Sequence, residues 1–228
     1  MKMSKPISLS VIICQLSVSI ILTSCTTDAY DKGEGELSLM RSDMVEAHVN
    51  EKKYVDYVLT DDGDSLPSLK PFTVTWINTP DTMYRAILSY NSIDGRAEAL
   101  GLSQVITLPL RSSDYYHDSP PPQHPLYVES AWVAFTRRYL NLRIRLLTSQ
   151  PENDTQRHTL GIVSDSVTTT PDGLRVNHMR LLHNQNGLPE YYSTVANASI
   201  LLKECQADSI VLSAVTYEGL WSKGWRIR

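Results

Sequence analysis

The chain has 228 residues, of which 42% are hydrophobic and 20% are charged, and its formal net charge at pH 7 is −4. This composition is typical of a folded chain and excludes a disordered protein, a collagen-like protein and a membrane protein with many spans. The net negative charge argues against nucleic acid as a partner. Tyr outnumbers Phe by twelve to two, which favours an all-β protein over a helix bundle.

Residues 1–24 predict a lipoprotein signal peptide. Two lysines precede an apolar stretch over 11–22, which is too short and too often interrupted by Ser to cross a bilayer. The stretch ends in Leu-Thr-Ser-Cys at 22–25, the apolar, small, small, Cys pattern of a lipobox. We therefore expect Cys25 to be the lipidation site and the first residue of the mature chain. The alternative is an ordinary signal peptide or membrane anchor that happens to end in Cys.

A lipidated Cys25 determines the expected location. Diacylglycerol and an amide-linked acyl chain hold a protein stably, at about 0.8 kcal/mol per buried CH2. We expect an outer-membrane lipoprotein that faces the periplasm or the cell surface. Residues 25–36 are polar and acidic and predict a flexible tether. With Cys14 removed and Cys25 acylated, Cys205 lacks an intramolecular disulfide partner, so we expect a small buried residue, with a reactive thiol as the alternative.

Residues 37–113 predict an OB-like β-barrel. Short β-rich runs at 46–59, 72–78, 82–90 and 105–110 are separated by turn sequences. Within the third run, alternate residues have the period of two that a strand requires. About five strands with one small helical connection in under 80 residues is the composition of a compact OB barrel.

Residues 114–125 predict a Pro-rich linker, because three successive prolines cannot donate to a sheet. Residues 126–228 predict an antiparallel β-sandwich. The clearest strand is 139–146, where Leu and Ile alternate with Tyr, Asn and Arg, which puts the apolar residues on a core face. Further short runs and turn sequences such as Asn-Gly at 186–187 fit the same architecture.

Several motifs together resemble one family. These are the lipobox at 22–25, Tyr-Leu-Asn at 139–141, His-Thr-Leu-Gly-Ile at 158–162, the segment from His to Tyr-Tyr at 183–192, and Thr-Tyr-Glu-Gly at 216–219. The combination resembles the NigD-like lipoproteins of anaerobic Gram-negative bacteria. The resemblance implies an N-terminal OB domain and a C-terminal β-sandwich. It implies no reaction, because the family carries no established enzymatic activity.

Two groups of side chains are candidates for ligand binding. Arg143 and Arg145 lie two residues apart on one strand face, near Arg137 and Arg138, and this spacing suits the carboxylate or phosphate of an anionic glycan. The alternative is a solvated strand face paired with acids on a neighbouring strand. Trp221 and Trp225 form an aromatic platform for sugars or a partner protein, or else close the end of the β-domain.

One modification site is predicted on the barrel. Asp64-Ser65-Leu66 resembles the Asp-Ser/Thr-apolar acceptor of periplasmic O-glycosylation, and it follows a turn sequence. Ser65 is therefore the candidate acceptor.

The histidines do not predict a metal site. His178 and His183 are five residues apart, which places them on opposite faces of a strand. We expect ordinary hydrogen-bonding histidines, and the alternative is a metal site with His158 as a third ligand. We expect neither a metal nor a cofactor, and no catalytic residue.

The sequence favours a non-catalytic envelope module that binds a glycan or a partner protein. It contains no Gly-x-Ser-x-Gly, no Ser-x-x-Lys and no Cys beside a positioned His. One alternative is a hydrolase of envelope or glycan substrates, and another is a structural or immunity-type role through a protein partner. A binding module should expose an aromatic or arginine surface, whereas a hydrolase should bring carboxylates or histidines together in a pocket.

Overall fold

The computed structural model describes residues 40–116, 121–151, 153 and 156–228. The predicted signal peptide, the predicted tether and Cys25 lie outside the described residues. Among the described residues, no helix combines the length and the apolar character that a membrane crossing requires.

The first strands form a closed barrel in the order β1-β2-β3-β5-β4, which confirms the predicted barrel. Alternate residues of β1 and β4 fill its interior, because successive side chains of a strand point to opposite faces. These residues are Val45, Ala47, Val49, Ala86, Leu88 and Tyr90. A single parallel pairing between Ser68 and Ala97 joins β3 to β5. The strands are β1 Met40–Val49, β2 Val55–Thr60, β3 Ser65–Phe72, β4 Thr82–Ile93 and β5 Arg96–Gln104.

The remaining strands form the two sheets of a β-sandwich, as predicted. One sheet has five strands in the order β14-β13-β11-β10-β7, and the other has four in the order β6-β12-β9-β8. Short 3-10 turns cover Ser113–Tyr116 and Leu202–Cys205. The strands are β6 Ile106–Thr107, β7 Leu110–Ser112, β8 Tyr127–Val133, β9 Tyr139–Thr148, β10 Thr159–Thr169, β11 Arg175–Asn184, β12 Tyr192–Leu201, β13 Ser209–Thr216 and β14 Gly219–Arg226.

The sandwich differs from the prediction in two respects. Its sheets are mixed, because β6 pairs with β12, β7 with β10 and β11 with β13 in parallel. In addition, β6 and β7 belong to the sandwich although they lie inside 37–113, the segment predicted for the barrel. Local alternation does not identify the partner of such short strands. Pro109 lies between them and cannot donate to a ladder, so the chain leaves one sheet before it enters the other.

The core of the sandwich contains the strand face that the sequence predicted. Leu140, Leu142, Ile144 and Leu146 of β9 are all buried. They belong to one cluster with apolar residues of β10, β11 and β13. Cys205 is buried in the same cluster, as expected, and burial raises the pKa of its thiol to about 11.

A buried polar network joins the barrel to the four-stranded sheet within one compact unit, Met40–Arg228. Arg85 of β4 pairs with Asp61 at 2.6 Å and donates to Asn141 Oδ1 at 2.9 Å. Its Nε donates to Ser199 Oγ at 3.1 Å, and its guanidinium lies 4.1 Å from the ring centroid of Tyr139. These contacts lie largely away from water and hold the barrel on the sandwich, although Arg85 Nη1 is buried without a hydrogen-bond partner among the described residues.

Candidate functional site

Arg143 and Arg145 share the outer face of β9, as their spacing predicted. Each donates from Nε to one oxygen of Glu129 on β8, at 3.0 and 3.1 Å. This is the arrangement of the alternative reading, in which the arginines pair with an acid on a neighbouring strand. Two guanidinium groups share one carboxylate, so the cluster keeps a net charge of +1.

A β-bulge explains why Glu129 reaches both arginines. The register of β8 against β9 shifts between Val128 and Ser130, which inserts Glu129 as an extra residue. Such bulges bend a strand and redirect a side chain. The bulge thus presents one carboxylate to two successive outward positions of the neighbouring strand.

These residues belong to an exposed surface that we call the sheet-face patch, on the outer side of the four-stranded sheet. Register places Tyr127, Arg145 and Val195 in one row, and the guanidinium of Arg145 lies 3.8 Å from the ring centroid of Tyr127. Trp132 is 38% exposed and lies next to the row of Arg143. The patch consists of Tyr127, Glu129, Trp132, Arg143, Arg145, Val195 and Asn197.

Trp221 and Trp225 are not an exposed platform. They share a strand face with Ala214 and Ile210 of β13, and both pack against the core of the sandwich. Lys223 lies between them and donates to the carbonyl oxygen of Ala131 in the opposite sheet at 3.1 Å. The two tryptophans therefore close the open edge of the sandwich, which was the alternative reading. The exposed tryptophan of the sandwich is Trp132, which no sequence pattern distinguishes.

Ser65, the predicted O-glycosylation site, begins β3 and is exposed. Its main chain pairs with Leu59 of β2, directly after the turn that contains Gly63 at φ +100°. Only glycine adopts this backbone conformation without strain. The hydroxyl group is therefore accessible at a well-defined corner of the barrel.

His178 and His183 lie on opposite faces of β11, as their spacing predicted. His178 is on the outer face, and His183 points inward. His183 Nδ1 lies 3.1 Å from the carbonyl oxygen of His124 and 3.2 Å from that of Pro125, so this nitrogen carries the proton. His183 Nε2 then accepts a hydrogen bond from His158 Nδ1 at 2.8 Å.

Burial lowers the pKa of both His158 and His183. Neutral imidazoles at these positions hold the segment around His124 and Pro125 against β11. The contact joins residues 25 apart in sequence, which spacing alone could not reveal. No three His, Cys, Asp or Glu side chains in the described part of the chain lie close enough together to hold a metal ion.

A cavity of about 360 Å³ opens where the barrel meets the sandwich. We call it the junction cavity. Glu46 of β1 supplies the one carboxylate side chain among its described lining residues. This carboxylate accepts hydrogen bonds from the Tyr139 hydroxyl at 2.8 Å and from Arg138 Nη2 at 3.1 Å. Burial and the contact with Glu46 raise the pKa of Tyr139 to about 12, so its hydroxyl stays a donor.

Comparison with known proteins identifies the fold. A NigD-like immunity protein from Bacteroides caccae superposes with a TM-score of 0.63 at 22% identity, over 80% of this chain and 91% of that one. The chain has the NigD-like fold. A Bacteroides vulgatus protein of unknown function, DUF1344, gives a TM-score of 0.62 at 16% identity, over 82% and 90% of the two chains.

A candidate lipoprotein from Bacteroides fragilis gives a TM-score of 0.59 at 12% identity, over 83% of this chain and 98% of that one. No protein-family model matches the sequence, and no curated protein matches it. At these identities the likeness establishes the NigD-like fold and assigns no ligand.

Proposed function

We propose that this NigD-like chain is a non-catalytic lipoprotein of the outer membrane that binds an envelope glycan through the sheet-face patch. The lipobox ending at Cys25 supports the lipid anchor, and the likeness to a candidate lipoprotein of Bacteroides fragilis agrees with it. The single observation that carries the binding role is the exposed Trp132 ring beside the charge cluster of Arg143, Arg145 and Glu129.

The chemistry of the patch suits a sugar. An indole ring offers a flat apolar surface to the C–H face of a pyranose, and its neighbours supply planar hydrogen-bonding groups to hydroxyls. Arg143 on β9 pairs with Asn197 on β12, so these residues lie one and two strands away from Trp132 on β8. The surplus positive charge of the arginines favours a glycan that carries carboxylate or phosphate groups.

A binding role without catalysis is supported by the partners of the acids and histidines. Glu129 and Glu46 are each engaged by arginine, and His158 and His183 bond to each other and to the main chain. A glycosidase requires two carboxyl groups facing one another across a cleft. Among the described residues that line the junction cavity, only Glu46 supplies a carboxylate side chain.

The anchor is tested by Cys25→Ser in the native host. We expect the wild-type protein to enter the detergent phase of a cloud-point extraction and to incorporate labelled fatty acid. The variant should move to the aqueous phase and lose the label. A variant that still partitions with detergent would contradict lipidation at Cys25.

The binding role is tested with the full-length protein, purified in detergent and titrated with polysaccharide extracted from the envelope. We expect Trp132→Ala to weaken binding at least about tenfold, because stacking on one aromatic ring is lost. Tyr54→Ala is a matched control, because Tyr54 is an aromatic residue of the barrel with a similar exposure of 43%. Equal affinities for wild type and Trp132→Ala would contradict the proposed surface.

The name of the Bacteroides caccae immunity protein favours a second candidate, a protein partner on the same patch. The two candidates separate by photo-crosslinking in cells, with the photoreactive residue benzoylphenylalanine at position 132. An adduct with one protein, together with no binding of polysaccharide, would indicate that the patch binds a protein and not a glycan.

A further inference from the structure

The rim of the junction cavity is cationic, and none of its lining residues belongs to the sheet-face patch. Arg137 and Arg138 come from the turn between β8 and β9, and Lys203 follows β12. Arg228 completes the rim beside Ile227. Four cationic side chains of the sandwich therefore surround a cavity whose one acidic side chain among the described lining residues, Glu46, comes from the barrel.

Most of this positive charge is not neutralised inside the protein. Arg138 is paired with Glu46. In the described part of the chain, the side chains of Arg137, Lys203 and Arg228 have no ion pair, and all three are exposed. The main-chain oxygen of Arg228 accepts a hydrogen bond from Arg226 Nε at 2.9 Å, so the Arg226 side chain is engaged by the main chain.

The backbone keeps Arg137 at this rim. Its φ is +56°, a left-handed conformation that is unfavourable for a residue with a side chain, and its N–H donates to the carbonyl oxygen of Ala134 at 2.8 Å. The pairing of Ala134 N–H with the carbonyl oxygen of Tyr139 at 2.9 Å closes the same turn. The turn therefore holds two consecutive arginines at the cavity.

We propose that the junction cavity is a binding site for a phosphate monoester, with Arg137, Lys203 and Arg228 as its cationic groups. A monoester dianion carries two charges and three terminal oxygens, which matches several separate donors. A carboxylate carries one charge and two oxygens, so it offers less charge and fewer acceptors to these donors than a phosphate monoester does.

The dimensions of the cavity suit a small organic phosphate. Its volume of about 360 Å³ lies at the lower end of the range for small-molecule sites. Leu202 and Ile227 line it and are buried, so they offer an apolar floor beneath the charged rim. The phosphate group thus binds at the rim, and the attached organic group lies against the floor.

The test uses calorimetric titration of the full-length protein in detergent with three probes. Glycerol 3-phosphate represents a soluble ester, dihexanoyl phosphatidic acid represents a lipid headgroup, and succinate represents dicarboxylates. We expect at least one phosphate probe to bind, and succinate to bind at least about tenfold more weakly. Affinity for the phosphate probe should fall as salt is raised, because the rim charges are exposed.

The decisive variant is the double substitution Arg137→Gln with Lys203→Gln. It should raise the Kd of the phosphate probe at least about tenfold, because two charge-assisted contacts are lost. The double substitution Lys70→Gln with Arg96→Gln is the matched control, because it removes the same two charges from exposed positions on the barrel. Thermal melting of both variants verifies that each remains folded.

The three probes distinguish a soluble phosphate ester from a lipid headgroup. Binding of glycerol 3-phosphate alone supports a soluble ligand, whereas stronger binding of dihexanoyl phosphatidic acid supports a lipid headgroup. The proposal is overturned if neither phosphate probe binds, if succinate binds equally well, or if the two double variants weaken binding equally. Because Trp132 and its neighbours are not part of the cavity, these results are independent of the glycan proposal.

Discussion

Arg85 on the barrel donates from Nε to the hydroxyl oxygen of Ser199 on the sandwich at 3.1 Å, across 114 residues of sequence. The Arg85 side chain is 3% exposed and also neutralises Asp61. The two halves of the fold are therefore joined by a charge that has almost no access to water.

Replacement of Arg85 should be strongly destabilising. Arg85→Met keeps the volume of the side chain but leaves the carboxylate of Asp61 without its partner, and breaking a buried ion pair in this way costs about 3–5 kcal/mol. We expect this loss in the free energy of unfolding, measured by urea denaturation. Arg96→Met, at an exposed barrel position, should change the same quantity by no more than about 0.5 kcal/mol. Similar values for the two variants would mean that the network adds little to stability.

The histidine pair should make stability sensitive to mild acid. The pKa values of His158 and His183 are lowered from 6.5, so the folded chain binds these protons more weakly than the unfolded chain. Their contribution is complete above about pH 6.5 and is lost as the pH falls through the lower folded values. We expect the Tm to decline between pH 7.5 and pH 5.5.

The variant His158→Gln identifies the source of this decline. Gln cannot gain a proton, and it can still donate a hydrogen bond toward His183. The difference in Tm between wild type and variant should therefore shrink or reverse as the pH falls. A constant difference across this pH range would assign the acid sensitivity to other groups.

Cys205 should be unreactive in the folded protein. Its thiol is buried and its pKa is raised to about 11, so the nucleophilic thiolate is scarce at neutral pH. Alkylation with iodoacetamide, followed by mass spectrometry of the peptide that contains Cys205, should show little modification in buffer and complete modification in denaturant. Rapid alkylation in buffer would indicate that the core of the sandwich opens readily.

The tryptophans should divide into one that binds and two that stabilise. Trp225→Ala removes a ring that packs against the core and should cost about 2–4 kcal/mol in the free energy of unfolding. Trp132→Ala removes a more exposed ring and should cost less than about 1 kcal/mol. Guanidinium denaturation of both variants measures the contrast. Equal losses would show that Trp132 is also a structural residue.

The sequence predicted those parts of the fold that depend on local periodicity. The alternation over 139–146 identified the buried face of β9, and Arg143 and Arg145 lie on the opposite face as expected. Tyr139 and Asn141 lie on that same outer face and are nevertheless buried, because the barrel covers this end of the sheet. Burial by a distant part of the chain leaves no periodic signal.

The candidate sites were predicted less completely, for a related reason. Nothing in the order of residues indicates that Arg137 and Arg138 meet Lys203 and Glu46, since strands far apart in sequence bring them together. Trp132 has no second tryptophan near it in sequence, whereas Trp221 and Trp225 are four residues apart, so no pattern marks it as a binding residue. The β-bulge at Glu129 also has no sequence signal, although it decides which carboxylate the two arginines share.

The strands β6 and β7 have a practical consequence for dissecting the chain. Each occupies the outermost place of a different sheet, beside β12 and β10. A fragment that began at residue 126 would lack β6 and β7, so β10 and β12 would become edge strands with unpaired backbone groups. Exposed edge strands of this kind pair with other chains and promote aggregation. An expression fragment that starts at Val105 retains both strands, and in gel filtration it should form less aggregate than the fragment that begins at residue 126. Because β6 and β7 precede the Pro-rich segment, these two edge strands of the sandwich leave the ribosome before its other strands do.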